Sequence, residues 1–165
     1  MDGILVQILI TAFGTFLGAA LALMSASWFR SRDEQRNEDS IVNSVIIFLS
    51  ARRALVVSDP RILQSVDTAD WNGDYARAGR SVGMMRDEIL RASALVTPSS
   101  KCSGPLQRMV MSCNLYMEKS ANRPVNYWID LNELRLALTV DVQRLQAANP
   151  RLSDVLPGAA AFAAA

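Results

Sequence analysis

The sequence predicts an all-α protein in which one N-terminal transmembrane helix continues into a cytoplasmic antiparallel helical bundle. Three observations predict it: an uncharged apolar run near the start, four later stretches with apolar residues at helical spacing, and no sustained alternation typical of β-strands. We expect four segments: a transmembrane helix at 1–29, a juxtamembrane helix at 30–58, a helical bundle domain at 59–150 and a flexible Ala-rich tail at 151–165.

The first segment has the length and composition of a membrane span. Residues 3–29 number 27, of which 19 are apolar and none is charged. A helix needs roughly 20 apolar residues to cross a hydrocarbon core of about 30 Å. A secretory signal would be shorter and would begin with a positive charge, whereas the charged residue before this run is Asp2. We therefore expect a single-pass membrane protein.

The flanking charges predict the orientation in the bilayer. Arg30, Arg32 and Arg36 follow the span, and no Lys or Arg precedes it. Because positive flanks stay in the cytoplasm, we expect a protein of the cell (inner) membrane with its N-terminus outside and its C-terminal domain cytoplasmic. These three arginines form the inner-leaflet flank, and their simplest role is a topology signal. The strong preference for Arg over Lys fits a GC-rich bacterial genome.

One side of the predicted span carries small residues at every fourth position. They are Gly14, Gly18, Ala22 and Ala26. Small side chains let a second helix approach closely, and close packing drives helix association in lipid. We expect this stripe to pack against transmembrane helices of a larger membrane protein, or of a second copy.

The later stretches predict the helices of the bundle. No Gly or Pro interrupts residues 25–59, so we expect the juxtamembrane helix to run to Ser58. Three further helices are predicted. They run from about Gly73 to Val96, from Pro105 to a break at 122–124, and from that break to about Ala148. The second of the four has apolar residues in alternating steps of four and three, which predicts a bundle seam. The seam comprises Trp71, Tyr75, Val82, Met85, Ile89 and Val96.

The composition argues against catalysis. The chain has no histidine, which excludes Ser-His-Asp and Cys-His catalysis, and it has two cysteines, too few for a structural zinc site. Aligning Gly73 with the EF-hand glycine puts Thr68 and Gly79 at the first and last ligand positions, so no calcium loop is expected. No phosphate-binding or nucleophile motif occurs. We therefore expect no enzyme activity, no catalytic residue, no metal and no cofactor.

The function expected from these features is association. A net charge of +1 makes nucleic acid an improbable partner. We expect an accessory or stabilising subunit of a larger membrane protein complex, with the lipid bilayer as its other partner. Two alternatives stay open. One is a homo-oligomeric membrane-tethered scaffold or signalling adaptor. The other is a lipid- or small-molecule-handling protein whose pocket is rich in methionine. The methionines concerned are Met84, Met85, Met109, Met111 and Met117.

Overall fold

The computed structural model describes residues 32–56 and 66–162, together with Met24, Trp28 and Phe29. The chain divides into two compact units, Met1–Asn37 and Glu38–Ala165. The described part of the chain is helical and contains no strand, which confirms the predicted all-α class. No helix in this part is both long and apolar enough to cross a membrane. Apart from Met24, Trp28 and Phe29, the predicted span at 3–29 lies outside the described residues, and it stays a prediction.

The second unit is a bundle of four helices around one hydrophobic core. Residues 32–50 are helical, and the part at 38–50 belongs to this unit and is named α1. The other helices are α2 (Asp74–Leu95), α3 (Ser103–Asn122) and α4 (Tyr127–Ala148). All four contribute buried apolar side chains to one contiguous cluster. The breaks at residues 96–102 and 123–126 fall where the loop residues around Pro98 and Pro124 predicted them.

Polar contacts between the helices show that neighbours run in opposite directions. Lys119 pairs with Glu133 at 2.7 Å, while Arg108, earlier on α3, pairs with Asp141, later on α4, at 2.8 Å. At the far side of the bundle, a carboxylate oxygen of Glu38 near the start of α1 accepts the Thr97 N–H that follows α2, at 2.9 Å. The described helices therefore form an antiparallel bundle, in which short breaks join α2 to α3 and α3 to α4.

The helix at 32–50 ends eight residues before the predicted boundary at Ser58. After Ser50 the chain turns through a short 3-10 segment, Arg53–Leu55, which places the side chain of Leu55 in the core. The carbonyl of Leu49 accepts hydrogen bonds from Arg52 N at 3.2 Å and from Gly158 N at 3.1 Å. The helix therefore ends without a Gly or Pro. It ends because Leu55 packs in the core and because Gly158, distant in sequence, satisfies the helix-end carbonyl of Leu49.

The segment after α4 lies against α1. Ser153 N donates to Asn43 Oδ1 at 2.8 Å, and the side-chain amide of Asn149 donates to the Asp39 carboxylate. Leu152 is buried in the core. The sequence predicts a flexible tail from residue 151, whereas the structure seats residues 151–158 on the bundle. The Ala-rich composition is confined to residues 159–165, of which 163–165 lie outside the described residues.

Gly158 allows residues 151–158 to pack against α1. Its φ is +78°, and a Cβ built there would lie 2.6 Å from the carbonyl oxygen of Leu55. Left-handed backbone and a close backbone neighbour both favour glycine. By contrast, Gly79 and Gly83 lie inside α2 with nothing near the place a Cβ would occupy.

We predict opposite effects of alanine at these two kinds of glycine. Gly158→Ala should lower the free energy of unfolding by about 2 kcal/mol or more, because the methyl group must displace the Leu55 backbone. Gly83→Ala should raise it by about 0.5–1 kcal/mol, because alanine is the better helix former. Urea unfolding followed by circular dichroism measures both. Equal stability of the two variants would contradict the seating of residues 151–158.

Candidate functional site

The structure offers two surface features with binding potential, and the first is a cleft at one end of the bundle. Its volume is about 630 Å³. It lies where α1 ends and where α2 and α4 begin. The walls combine charged and hydroxyl side chains with small apolar ones: Arg52, Arg53, Asp74, Arg77, Ser81 and Tyr127, with Ala51, Ala54, Ala78 and Leu131. We name this feature the arginine cleft.

The arginine cleft is positively charged. Its described lining residues include three arginines and one aspartate, which together carry a formal charge of +2. Arg77 pairs with Asp74 one turn away on α2, and both side chains are largely exposed. The guanidinium of Arg52 stacks on the ring of Phe48, 3.7 Å from its centroid. Arg53 is exposed and makes no ion pair with another described residue.

A cluster of tyrosines lies behind the cleft wall. The rings of Tyr75 and Tyr127 meet edge to face with centroids 5.7 Å apart. The Tyr75 hydroxyl donates to the Ser120 carbonyl at 3.2 Å. The buried hydroxyl of Tyr116 has no hydrogen-bond partner among the described residues, and neither does one buried oxygen of Asp130. Buried polar groups of this kind are commonly satisfied by ordered water.

Burial sets the protonation of the interior groups. It raises the pKa of Tyr116 far above its ordinary value, and the neighbouring tyrosines add to the effect. Burial also raises the pKa of Tyr127, with Asp74 adding to it and Arg77 opposing it. The Cys113 thiol has its pKa raised to about 12 by burial. Since a thiolate rather than a thiol is the nucleophile, Cys113 is inert at neutral pH.

The second feature is an exposed apolar face on α3 and α4. The ion pairs Lys119–Glu133 and Arg108–Asp141 fix how the two helices align. In that alignment Leu115 on α3 lies level with Leu136 on α4, and Met111 lies level with Val140. We name these four residues the apolar face. Met111 is 68% exposed, Leu115 50%, Leu136 57% and Val140 45%.

The apolar face has oppositely charged ends. At one end, Arg108 and Arg144 share the buried carboxylate of Asp141, with distances of 2.8 and 3.0 Å, so a net positive charge remains. At the other end, Lys119 pairs with Glu133, and Glu118 is exposed next to it, so a net negative charge remains. The charges therefore change sign along the helix axes across an uncharged centre.

The predicted seam maps onto the inner side of α2, with one clear departure. Val82, Met85 and Ile89 are fully buried, Val96 is nearly so, and Tyr75 is partly buried. Trp71 is 70% exposed, because it lies in the turn before α2 begins. There the guanidinium of Arg80 stacks on its ring at 4.4 Å and donates to its carbonyl at 2.7 Å.

The residues predicted for membrane contact lie mostly outside the described part. This holds for Arg30 and for the small-residue stripe of Gly14, Gly18, Ala22 and Ala26. Arg32 and Arg36 are described and exposed. The guanidinium of Arg32 stacks over the Trp28 ring, 4.8 Å from its centroid.

The methionines do not gather at one pocket. Met85 and Met109 fill the core, whereas Met84 and Met111 are exposed on the surface. None of them lines the arginine cleft. Within the described residues there is also no group of three or more Cys, Asp or Glu placed to hold a metal ion.

Sequence reasoning missed both surface features, although each left a signal. Arg52 and Arg53 mark the end of the apolar stretch in α1, but only the fold brings Arg77 to the same cleft. Leu136 and Val140 lie off the core stripe of α4 and stand out as apolar residues on its outer side.

We predict that stability falls at alkaline pH through the buried acids. A group whose pKa is raised on folding contributes stability that is full below its unfolded pKa and is lost as pH rises toward the folded value. For tyrosine that loss begins near pH 10. Tyr116→Phe should therefore make the decline in unfolding free energy above pH 10 shallower by about 1 kcal/mol per pH unit. Urea titrations at pH 8, 10 and 11 measure this.

The matched control is Tyr75→Phe at pH 8. It removes a hydroxyl that donates a hydrogen bond, and should cost about 1 kcal/mol, whereas Tyr116→Phe removes an unpaired hydroxyl and should cost less. Equal costs at pH 8 and parallel declines above pH 10 would contradict the burial assigned to Tyr116.

Comparisons with protein-family models, with curated proteins and with solved structures found no match.

Proposed function

We propose that this protein is a non-catalytic, membrane-tethered accessory subunit that holds a larger membrane protein complex together. Residues 3–29 form its span in the cell (inner) membrane, with Arg30, Arg32 and Arg36 keeping the bundle in the cytoplasm. The small residues of the span pack against partner helices, and the bundle docks on a cytoplasmic part of the same partner. When the span is bound, the effective concentration of the bundle at its own docking site rises, and the reverse also holds.

The observation that carries this proposal is the apolar face. Single exposed apolar side chains are ordinary on soluble domains, but a group of four at matching levels on two neighbouring helices is typical of an interaction surface. A charged rim around an apolar centre is also the usual layout of a protein interface. The fitting partner presents apolar side chains flanked by charges opposite to those at the two ends.

A second candidate is a symmetric dimer through the same face. In this dimer the two-fold axis lies in the plane of the face and runs across the two helices. A second copy related by it places its Glu118 end over the Arg108 end of the first copy. Such a two-fold contact is self-complementary, as isologous dimers require. It corresponds to a homo-oligomeric scaffold rather than to a subunit of a mixed complex.

We predict that a charge in the apolar face releases the partner. Leu115→Glu should lower recovery of the partner at least tenfold in a mild-detergent pull-down of the tagged full chain, because it places a carboxylate where apolar contact is needed. The matched control is Leu90→Glu, the same change at an exposed leucine of α2. Quantitative mass spectrometry of the recovered proteins measures the effect.

The outcomes separate the two candidates. A second protein in fixed stoichiometry, retained by Leu90→Glu and lost by Leu115→Glu, supports the subunit. A particle of twice 18.1 kDa formed by the chain alone and reduced to a monomer by Leu115→Glu supports the symmetric dimer. Identical behaviour of the wild type and both variants would contradict both.

A further prediction concerns the span. Gly14→Ile combined with Gly18→Ile should leave membrane insertion intact, because hydrophobicity rises, while reducing recovery of the partner by blocking close helix approach. Carbonate extraction checks insertion, and the same pull-down checks association. Unchanged recovery of the partner would show that this stripe does not pack against it.

A further inference from the structure

We propose that the arginine cleft is a binding site for a phosphate monoester carried by an organic molecule. This goes beyond the association proposed above and does not depend on it, because the cleft and the apolar face use different residues. The described residues that line the cleft all belong to the second unit.

The charge of the cleft selects the kind of anion. Arg52, Arg53 and Arg77 less Asp74 leave a formal charge of +2. A phosphate monoester carries about −1.5 to −2 at neutral pH, whereas a carboxylate or a sulfate ester carries −1. Guanidinium groups also match phosphate oxygens with paired hydrogen bonds. The monoester therefore neutralises the cleft where a single negative charge does not.

The arginines are in a condition to accept a ligand. Among the described residues Arg53 has no ion pair to give up. Arg52 is held by its stacking on Phe48, a contact that leaves its N–H edges available. Arg77 is paired to Asp74 in an exposed i, i+3 contact. Such surface pairs are weak, so a dianion competes readily for the guanidinium. Elsewhere on the bundle, Arg108 and Arg144 are already committed to one buried carboxylate.

The size and the remaining walls indicate an ester rather than free phosphate. A volume of about 630 Å³ falls within the range of small-molecule sites and leaves room beyond one phosphate group. Ala54, Ala78 and Leu131 supply apolar contact for the organic part. The Ser81 and Tyr127 hydroxyl groups add hydrogen-bonding capacity at the wall. The same phosphomonoester chemistry occurs on soluble metabolites and on lipid headgroups such as that of phosphatidic acid.

The test is calorimetric titration of the full chain in mild neutral detergent with phenyl phosphate. We expect saturable binding that weakens with added salt. Arg53→Gln should weaken it about tenfold or more, because a charge-assisted hydrogen bond is lost. The matched control is Arg91→Gln, which removes an exposed arginine of α2 outside the cleft and should change the affinity less than twofold. Thermal unfolding followed by circular dichroism checks that both variants fold.

Two comparison ligands sharpen the result. Phenyl sulfate has the same ring and one negative charge, and should bind at least fivefold more weakly. Phosphatidylcholine vesicles with and without phosphatidic acid distinguish a lipid headgroup from a soluble ester as the natural ligand. If the vesicles that contain phosphatidic acid displace phenyl phosphate, the ligand is a lipid headgroup. If they do not displace it, the ligand is a soluble ester. The proposal is overturned by a lack of saturable binding, by equal affinity for phenyl sulfate, or by equal loss in Arg53→Gln and Arg91→Gln.

Discussion

The structure depends on burying four apolar stripes in one shared core. Each helix is amphipathic, so none is stable until the others cover its apolar side. The stripe of α1 consists of Val42, Val45, Ile46 and Leu49, all essentially inaccessible to solvent. Burying four such side chains contributes roughly 6–12 kcal/mol, which is comparable to the whole net stability of a domain of this size. The bundle therefore needs α1, the helix that also leads back to the predicted span.

This constraint organises the end of the bundle where α1 stops. At the end of α1, the chain leaves the helix early so that Leu55 reaches the core. The helix-end carbonyl of Leu49 accepts the N–H of Gly158 from the C-terminal segment. The same turn brings Arg52 and Arg53 beside the start of α2, which creates the arginine cleft. The packing of Leu55 and the arginine cleft thus arise from one local departure from helical geometry. The apolar face arises separately, on the sides of α3 and α4 that the core leaves uncovered.

The sequence contained enough to predict the class, the helix breaks and most of the core. The apolar spacing in α2, α3 and α4 is regular, and the breaks carry Pro98 and Pro124. Prediction from the sequence misplaced the features that depend on tertiary contacts. The end of α1 has no local stop signal, Trp71 continues the seam spacing although it precedes the helix, and Gly158 acquires its role only through Leu55. The cleft and the apolar face join residues that are distant in sequence, so the local signals at Arg52 and Arg53 and at Leu136 and Val140 do not show that these residues come together with others.

We infer that α1 and the C-terminal segment belong to the same cooperative bundle as α2–α4. Amide hydrogen exchange of the full chain, read by mass spectrometry of peptides, tests it most directly. We expect peptides spanning 42–49 to exchange as slowly as those in the middle of α3, and the amides of Ser153 and Gly158 to be protected by their bonds to α1. Exchange of 42–49 within seconds while α2–α4 stay protected would contradict it.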